Sequence, residues 1–324
     1  MSAVPGTLAR LLNRRAEPLP AERPLGTVAL TARGVGYRVD GRWLVRGVDL
    51  ELTTGRVVVV IGPNGAGKST LLSLLAGDLV PGEGEIVVDG LDVGRAHPVD
   101  LARRRAVVPQ RPVLSFPFSV GEVVAMGRAA WAGTVHEDDD ERAVAEAIDA
   151  TGLAPLAARD YPSLSGGEQA IATFARVLAQ QAGVLLLDEP TAALDLRHQE
   201  QLMTLARRCA REGRAVLVVL HDIQLAAAYA DEVAVVAGGR LAAQGPPGEV
   251  LTEELLAEVY GLPVEVIRHR ERGDLIVLPR GRPAVAEVTA GPAEHRPAPA
   301  SPHRPASASP QRSAAASPPH IDKS

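Results

Sequence analysis

The run Gly62-Pro63-Asn64-Gly65-Ala66-Gly67-Lys68-Ser69-Thr70 fits G-x-x-x-x-G-K-[ST] at every fixed position. Glycines there let the backbone curl so that successive N–H groups point inward at phosphate oxygens. A helix opening directly after them adds its positive end. Lys68 is then within reach of the β- and γ-phosphates of a bound phosphate chain, and the Ser69 hydroxyl suits a magnesium ion. The chain otherwise writes positive charge as arginine: of its 34 basic residues only Lys68 and Lys323 are lysine. Asparagine occurs only as Asn13 and Asn64, so two rare residue types meet in one nine-residue loop.

A pair of acidic residues follows an apolar run in Val184-Leu185-Leu186-Leu187-Asp188-Glu189. A carboxylate ending a buried strand beside the phosphate strand can hold the hydration shell of Mg²⁺, which is the role read for Asp188. Glu189, one residue on, is placed to orient or deprotonate an attacking water. Ser165, Gly166 and Gly167 open a further helix whose later face carries Phe174, Val177 and Leu178. That makes a second anion-binding helix start in the same chain. An N-K-x-D element for guanine is absent, since neither asparagine precedes a lysine, so adenine is the expected base. Tyr37, one of nine aromatic residues, offers a flat face for a purine or an ordinary core side chain.

These groups need rigid supports. Val57 to Ile61, Val184 to Leu187 and Ala215 to Leu220 are apolar without alternation, which implies strands buried on both faces of a mostly parallel sheet. From Ser119 to about Ala158 the strand signal disappears. The pattern turns helical, opening with Ser119 three residues before Glu122, the spacing of a capping box. A helical insertion, about 115–180, is therefore expected between sheet elements of an α/β domain.

The chain has 324 residues, 46% of them hydrophobic and 23% charged, with no apolar run long enough for a membrane span. Its net charge of -5 supplies no positive field for nucleic acid, and no nucleic-acid partner is expected. The lone Cys209, in an Arg-rich helical pattern, reads as a buried or half-buried thiol. Residues 1–27 break up at Pro18, Pro20 and Pro24 and read as an unstructured arm, with a short amphipathic contact as the alternative. Residues 281–324, dominated by Ala, Pro and Ser, read as a disordered tail in which His295, His303 and His320 are irregularly spaced. The catalytic domain is thereby bounded at 28–280.

Leu164-Ser165-Gly166-Gly167-Glu168, taken with the phosphate loop, Asp188, Glu189 and the strand-end His221, resembles the nucleotide-binding domain of ABC (ATP-binding cassette) ATPases. The resemblance runs over about residues 28 to 268 in the family's motif order. It implies a P-loop NTPase fold: a RecA-like core sheet, an N-terminal antiparallel β subdomain and an inserted α-helical subdomain. It further implies ATP and Mg²⁺ as cofactors, with Tyr37 stacking on adenine and Ser69, Gln110 and Asp188 serving the metal. Glu189, His221 and Gln110 would be the catalytic set, Gln110 in the hinge loop that senses the membrane partner and His221 at the γ-phosphate. Ser165 and Gly167 would touch the γ-phosphate held by the opposite subunit of a homodimer, and Asp195 would cross that interface. One phosphate chain flanked by two helix starts gives the same arrangement a physical reason.

Two stretches are similar to importer ATPases for iron chelates, heme and cobalamin: the segment from His221 to Ala227 and that from Leu114 to Arg128, the latter most similar to heme (hemin) importers. Phe116 and Phe118 there serve either docking or the helical core. The implied assembly is peripheral, on the cytoplasmic face of the cell (inner) membrane, beneath polytopic permease subunits and indirectly linked to a substrate-binding protein. Ferric siderophore or cobalamin import is the alternative. A soluble ATPase acting on ribosomes or DNA fits less well, lacking two cassettes in one chain or a long coiled-coil insertion. One departure stands after the signature: Gln169-Ala170-Ile171 occupies the place of a glutamine followed by an arginine. The lost cation bears on coupling between helical lobe and core and removes no phosphate ligand.

Overall fold

In a computed structural model, residues 23–110, 117–271 and 273–281 are described. The expected arm up to residue 22, Phe116 in the segment 111–116, and the tail from 282 lie outside them. The first layer is an antiparallel sheet in the order β2-β1-β4-β5, made of β1 (Val28–Val39), β2 (Arg42–Thr53), β4 (Glu83–Val88) and β5 (Leu91–Asp92). Its two tight hairpins turn at Asp40-Gly41 and Asp89-Gly90, with all four residues at positive φ. Asp-Gly tolerates that conformation, and its twist matches that of the flanking strands.

The central sheet runs β10-β9-β3-β8-β7-β6. It comprises β3 (Val57–Ile61), β6 (Arg105–Val108), β7 (Val184–Asp188), β8 (Ala215–Val219), β9 (Glu232–Ala237) and β10 (Arg240–Gly245). All pairs are parallel except β9 with β10. Every residue of β3 is buried. Val57, Val59 and Ile61 enter one core cluster while Val58 and Val60 enter another, as the period of two requires when both faces are covered. Each such side chain contributes roughly 1.5–3 kcal/mol on burial.

The strand order corrects one sequence expectation. The Asp188 strand does not lie beside the phosphate strand, because β8 intervenes between β3 and β7. Parallel strands are joined by long crossovers, so neighbours in space are not fixed by neighbours in sequence.

The helices of the core are α1 (Lys68–Ala76), α2 (Pro98–Arg104), α6 (Leu196–Arg211) and α7 (Ile223–Tyr229). Between β6 and β7 stand α3 (Val120–Ala125), α4 (Asp140–Thr151) and α5 (Gly166–Ala179), joined by 3-10 turns. The one β pairing there, among the described residues, is an isolated bridge between Ser119 and Asp160. α3 opens with the expected capping box of Ser119 and Glu122. Phe118 is half-buried against the core, and its carbonyl accepts from Tyr161 N–H at 2.8 Å. The chain then adds α8 (Pro247–Val250), α9 (Glu253–Tyr260) and the hairpin of β11 (Val264–Arg268) and β12 (Leu275–Pro279). Cys209 is buried on α6, and burial pushes its thiol pKa up. No helix of the described residues is long and apolar enough to cross a membrane.

Candidate nucleotide-binding site

Four neighbouring strands deliver the site from their carboxyl ends. β3 runs into the glycine loop, β8 is followed by Leu220 and His221, β7 ends on Asp188 with Glu189 next, and β6 is followed by Pro109 and Gln110. Crevices at the carboxyl ends of parallel strands are where this architecture binds ligands. A cavity of about 350 Å³ opens there, lined by every residue from Asn64 to Thr70 together with Leu44, Gln110, Glu189 and His221.

The loop's shape depends on glycine at Gly67. Its φ is +103°, and a Cβ there would lie 2.4 Å from the Leu44 carbonyl oxygen. No larger residue fits that approach. Lys68 is buried, and its ammonium donates to the carbonyls of Gly62 at 2.8 Å and Pro63 at 3.1 Å. Burial lowers its pKa, while the Glu189 and Asp188 carboxylates oppose that shift.

Glu189 sits at φ +47°, and its N–H donates to the carbonyl of Val219 on β8 at 3.1 Å. That left-handed backbone turns a nearly buried carboxylate back over the loop, a strained conformation of the kind found where geometry serves a site. One carboxylate oxygen accepts from Gln110 Nε2 at 2.5 Å, and the other meets His221 Nε2 at 2.5 Å. Ser69 Oγ donates to Asp188 Oδ1 at 3.4 Å. Burial first, and the nearby Glu189 charge second, raise the pKa of Asp188. The Ser69 hydroxyl and the Gln110 amide on the cavity wall, with the Asp188 carboxylate bonded behind Ser69, form an oxygen donor set that fits Mg²⁺.

Five sequence-selected residues stand apart from this cavity. Tyr37 lies on β1 opposite Val45, half-buried against the core cluster. Ser165 caps α5: its hydroxyl accepts from Glu168 N–H at 3.3 Å, while Glu168 Oε2 accepts from Ser165 N–H at 2.8 Å. Those bonds hold the Glu168 carboxyl below its usual range. Gly166 lines a second cavity of about 230 Å³ with Gln110, Ala170 and Glu189, whereas Gly167 faces His198. Asp195 is exposed and caps α6. Ile171, at the departure after the signature, is 2% exposed within the apolar core, so the cation is replaced by packing.

Sequence reasoning passed over three residues. Leu44 borders the loop as an unexceptional strand leucine with no signal of its own. Gly239, in the turn between β9 and β10, donates from its N–H to the Ala66 carbonyl at 2.9 Å and so braces the loop. His198 could have been noticed, standing three residues after Asp195 at helix-capping spacing.

Comparison with known proteins matches residues 45–192 to the ABC transporter family. The chain is 54% identical to the "Hemin import ATP-binding protein HmuV" of Streptomyces coelicolor, over 85% of this chain and 98% of that protein. It is 50% identical to the protein of the same name from Rhodococcus jostii, over 83% and 92% respectively. Among solved structures, a metal-chelate type ABC transporter in an inward-facing conformation aligns at 28% identity and a TM-score of 0.68, covering 78% of this chain and 97% of that one. CbiO1 of Clostridium perfringens, part of the cbiONQ transporter complex, aligns at 30% identity and a TM-score of 0.64, covering 71% and 93%. With the phosphate loop, the Glu189 clamp and relatives of this similarity spanning nearly their full lengths, the chain belongs to the ATP-binding subunits of ABC transporters.

Proposed function

We propose that this subunit hydrolyses ATP to energise hemin import, working as a homodimer that closes around two nucleotides beneath a membrane permease. The observation that carries the hydrolytic part is the Glu189 carboxylate held between Gln110 and His221 on the wall of the loop cavity. The substrate is assigned from the hemin import ATP-binding proteins that are 50% or more identical to it over the aligned residues.

In this reading the backbone N–H groups from Asn64 to Thr70 cradle the phosphates, and Lys68 leaves the Gly62 and Pro63 carbonyls to take the β- and γ-phosphate oxygens. Ser69, Asp188 and Gln110 would hold Mg²⁺, which supplies charge neutralisation for the phosphate oxygens. Adenine lies toward the antiparallel sheet, where Leu44 borders the loop and Tyr37 sits one strand across. Glu189 orients the attacking water and receives its proton, and His221 contacts the γ-phosphate and keeps Glu189 aimed.

Ser165, Gly166, Gly167 and Asp195 are assigned to the nucleotide of the opposite subunit. Their absence from the lining of the chain's own loop cavity and the exposure of Asp195 support that assignment. Closure excludes water, and loss of the γ-phosphate reopens the interface. The Gln110 loop then couples this motion to the permease, with the subunit peripheral on the cytoplasmic face of the membrane and a substrate-binding protein acting through the permease.

The deciding experiment is ATPase activity of the reconstituted transporter with candidate ligands and their binding proteins. Stimulation by hemin supports the assignment. Stimulation by a ferric chelate alone would move it to the metal-chelate reading that the 28% identical transporter favours. Recovery on ribosomes or DNA instead of with a polytopic membrane protein would sink transport altogether.

A further inference from the structure

His198 touches both segments that the homodimer reading gives to the opposite nucleotide. It is the third residue of α6, and its ring lies against Gly167 so closely that a Cβ there would fall 2.3 Å from the imidazole Cγ and 2.4 Å from Nδ1. Its Nδ1 stands 2.7 Å from Asp195 Oδ1, and its backbone N–H donates to the same oxygen at 2.9 Å. Asp195 is thus held twice by one residue, and its carboxyl stays below the usual range because of these bonds. Beyond this contact Asp195 and Leu196 are exposed, the latter to 80%, so the imidazole is the inner support of an outward-facing edge.

The two segments come from different parts of the fold. The Ser165-Gly166-Gly167 turn opens α5 of the helical insertion, and Asp195 opens α6 of the core. Any rotation of the insertion against the core moves one relative to the other unless something ties them. We propose that His198 is that tie: a positioning residue that fixes the Ser165-Gly166-Gly167 turn and Asp195 as one rigid contact face, so that both reach the partner's triphosphate together. This assignment also gives Gly167 a reason to lack a side chain, since the ring occupies the space a methyl would need. The inference rests on the nucleotide-sandwich reading. It adds a residue that touches neither nucleotide and acts through those that do.

The test uses the full chain carrying Glu189→Gln, with ATP-driven dimerisation followed by light scattering and monomer affinity for ATP measured separately. His198→Ala raises the ATP concentration for half-maximal dimerisation roughly tenfold, as expected for losing a hydrogen bond to a charged group. Monomer affinity, set by the chain's own loop, stays unchanged. His198→Asn, which keeps a donor near Nδ1, restores dimerisation, and His198→Phe, which keeps only the ring, does not. In the hydrolysing protein His198→Ala raises KM for ATP with kcat held within about twofold, the mark of lost uniform binding. Unchanged dimerisation in His198→Ala, rescue by Phe equal to that by Asn, or loss of monomer ATP binding overturns the proposal. A Glu189→Gln parent that stays monomeric with magnesium ATP, alone and with its permease, sinks the sandwich reading and the role of His198 with it.

Discussion

His221 Nε2 lies 2.5 Å from Glu189 Oε1, so the second residue after β8 grips the residue after β7 across two adjacent strand ends. The same carboxylate is held on its other oxygen by Gln110. His221 is 47% exposed on its side chain and Glu189 only 9%, so the clamp's outer jaw faces the cavity while its object is nearly enclosed. Glu189→Gln keeps the shape and both neighbours but removes the base. Turnover falls roughly 10²-fold or more while ATP binding is retained. A steady-state ATPase assay beside a fluorescent-nucleotide titration checks this, and unaltered turnover would remove Glu189 from the mechanism.

Lys68 is held in place before nucleotide arrives, by carbonyls that a phosphate chain must displace. Lys68→Ala deletes the one lysine of the loop and with it a charge-assisted contact, and ATP affinity drops by about tenfold or more. Equilibrium binding by calorimetry reads the effect directly. Equal affinity in the variant argues against the phosphate contact.

Asp188 carries a raised pKa, mainly from burial and next from Glu189. The folded chain therefore holds this proton more tightly than the unfolded chain does. Its stabilising contribution is present below the unfolded carboxyl range and is lost as pH rises through the folded value. In nucleotide-free protein at neutral pH, Asp188→Asn raises the melting temperature, and the gain over the parent shrinks as pH is lowered through the elevated carboxyl range. The same substitution lowers magnesium-dependent hydrolysis. Identical melting curves at every pH would show that the charge costs nothing.

Gly167 and His198 compete for one volume. Gly167→Ala on its own overpacks the contact and lowers stability by about 1–3 kcal/mol. Placed in a His198→Ala background, the same substitution is close to neutral. A double-mutant cycle on urea unfolding measures the coupling, and simple additivity would mean the two residues do not meet.

Much of the site was legible in the residues themselves because local rules govern it. The loop from Gly62 to Thr70 needs only its glycines, its lysine and the helix that follows. β3 announces itself by five apolar residues in succession, and the capping box at Ser119 is a three-residue spacing. Each rests on contacts between residues close in sequence, so its signal survives without knowledge of the fold.

What the fold alone decided were contacts between segments far apart in the chain. That β8 stands between the phosphate strand and the Asp188 strand, and so brings His221 to Glu189, follows from crossover order, which no local pattern encodes. Leu44 closes on the loop from β2 and Gly239 from the turn between β9 and β10, and the His198 ring fills the space above Gly167 from a different helix. Sequence named the groups that can bind phosphate and move a proton. Packing of non-neighbouring elements fixed which of them share a cavity and which face outward, because those distances are set by sheet order and side-chain volume.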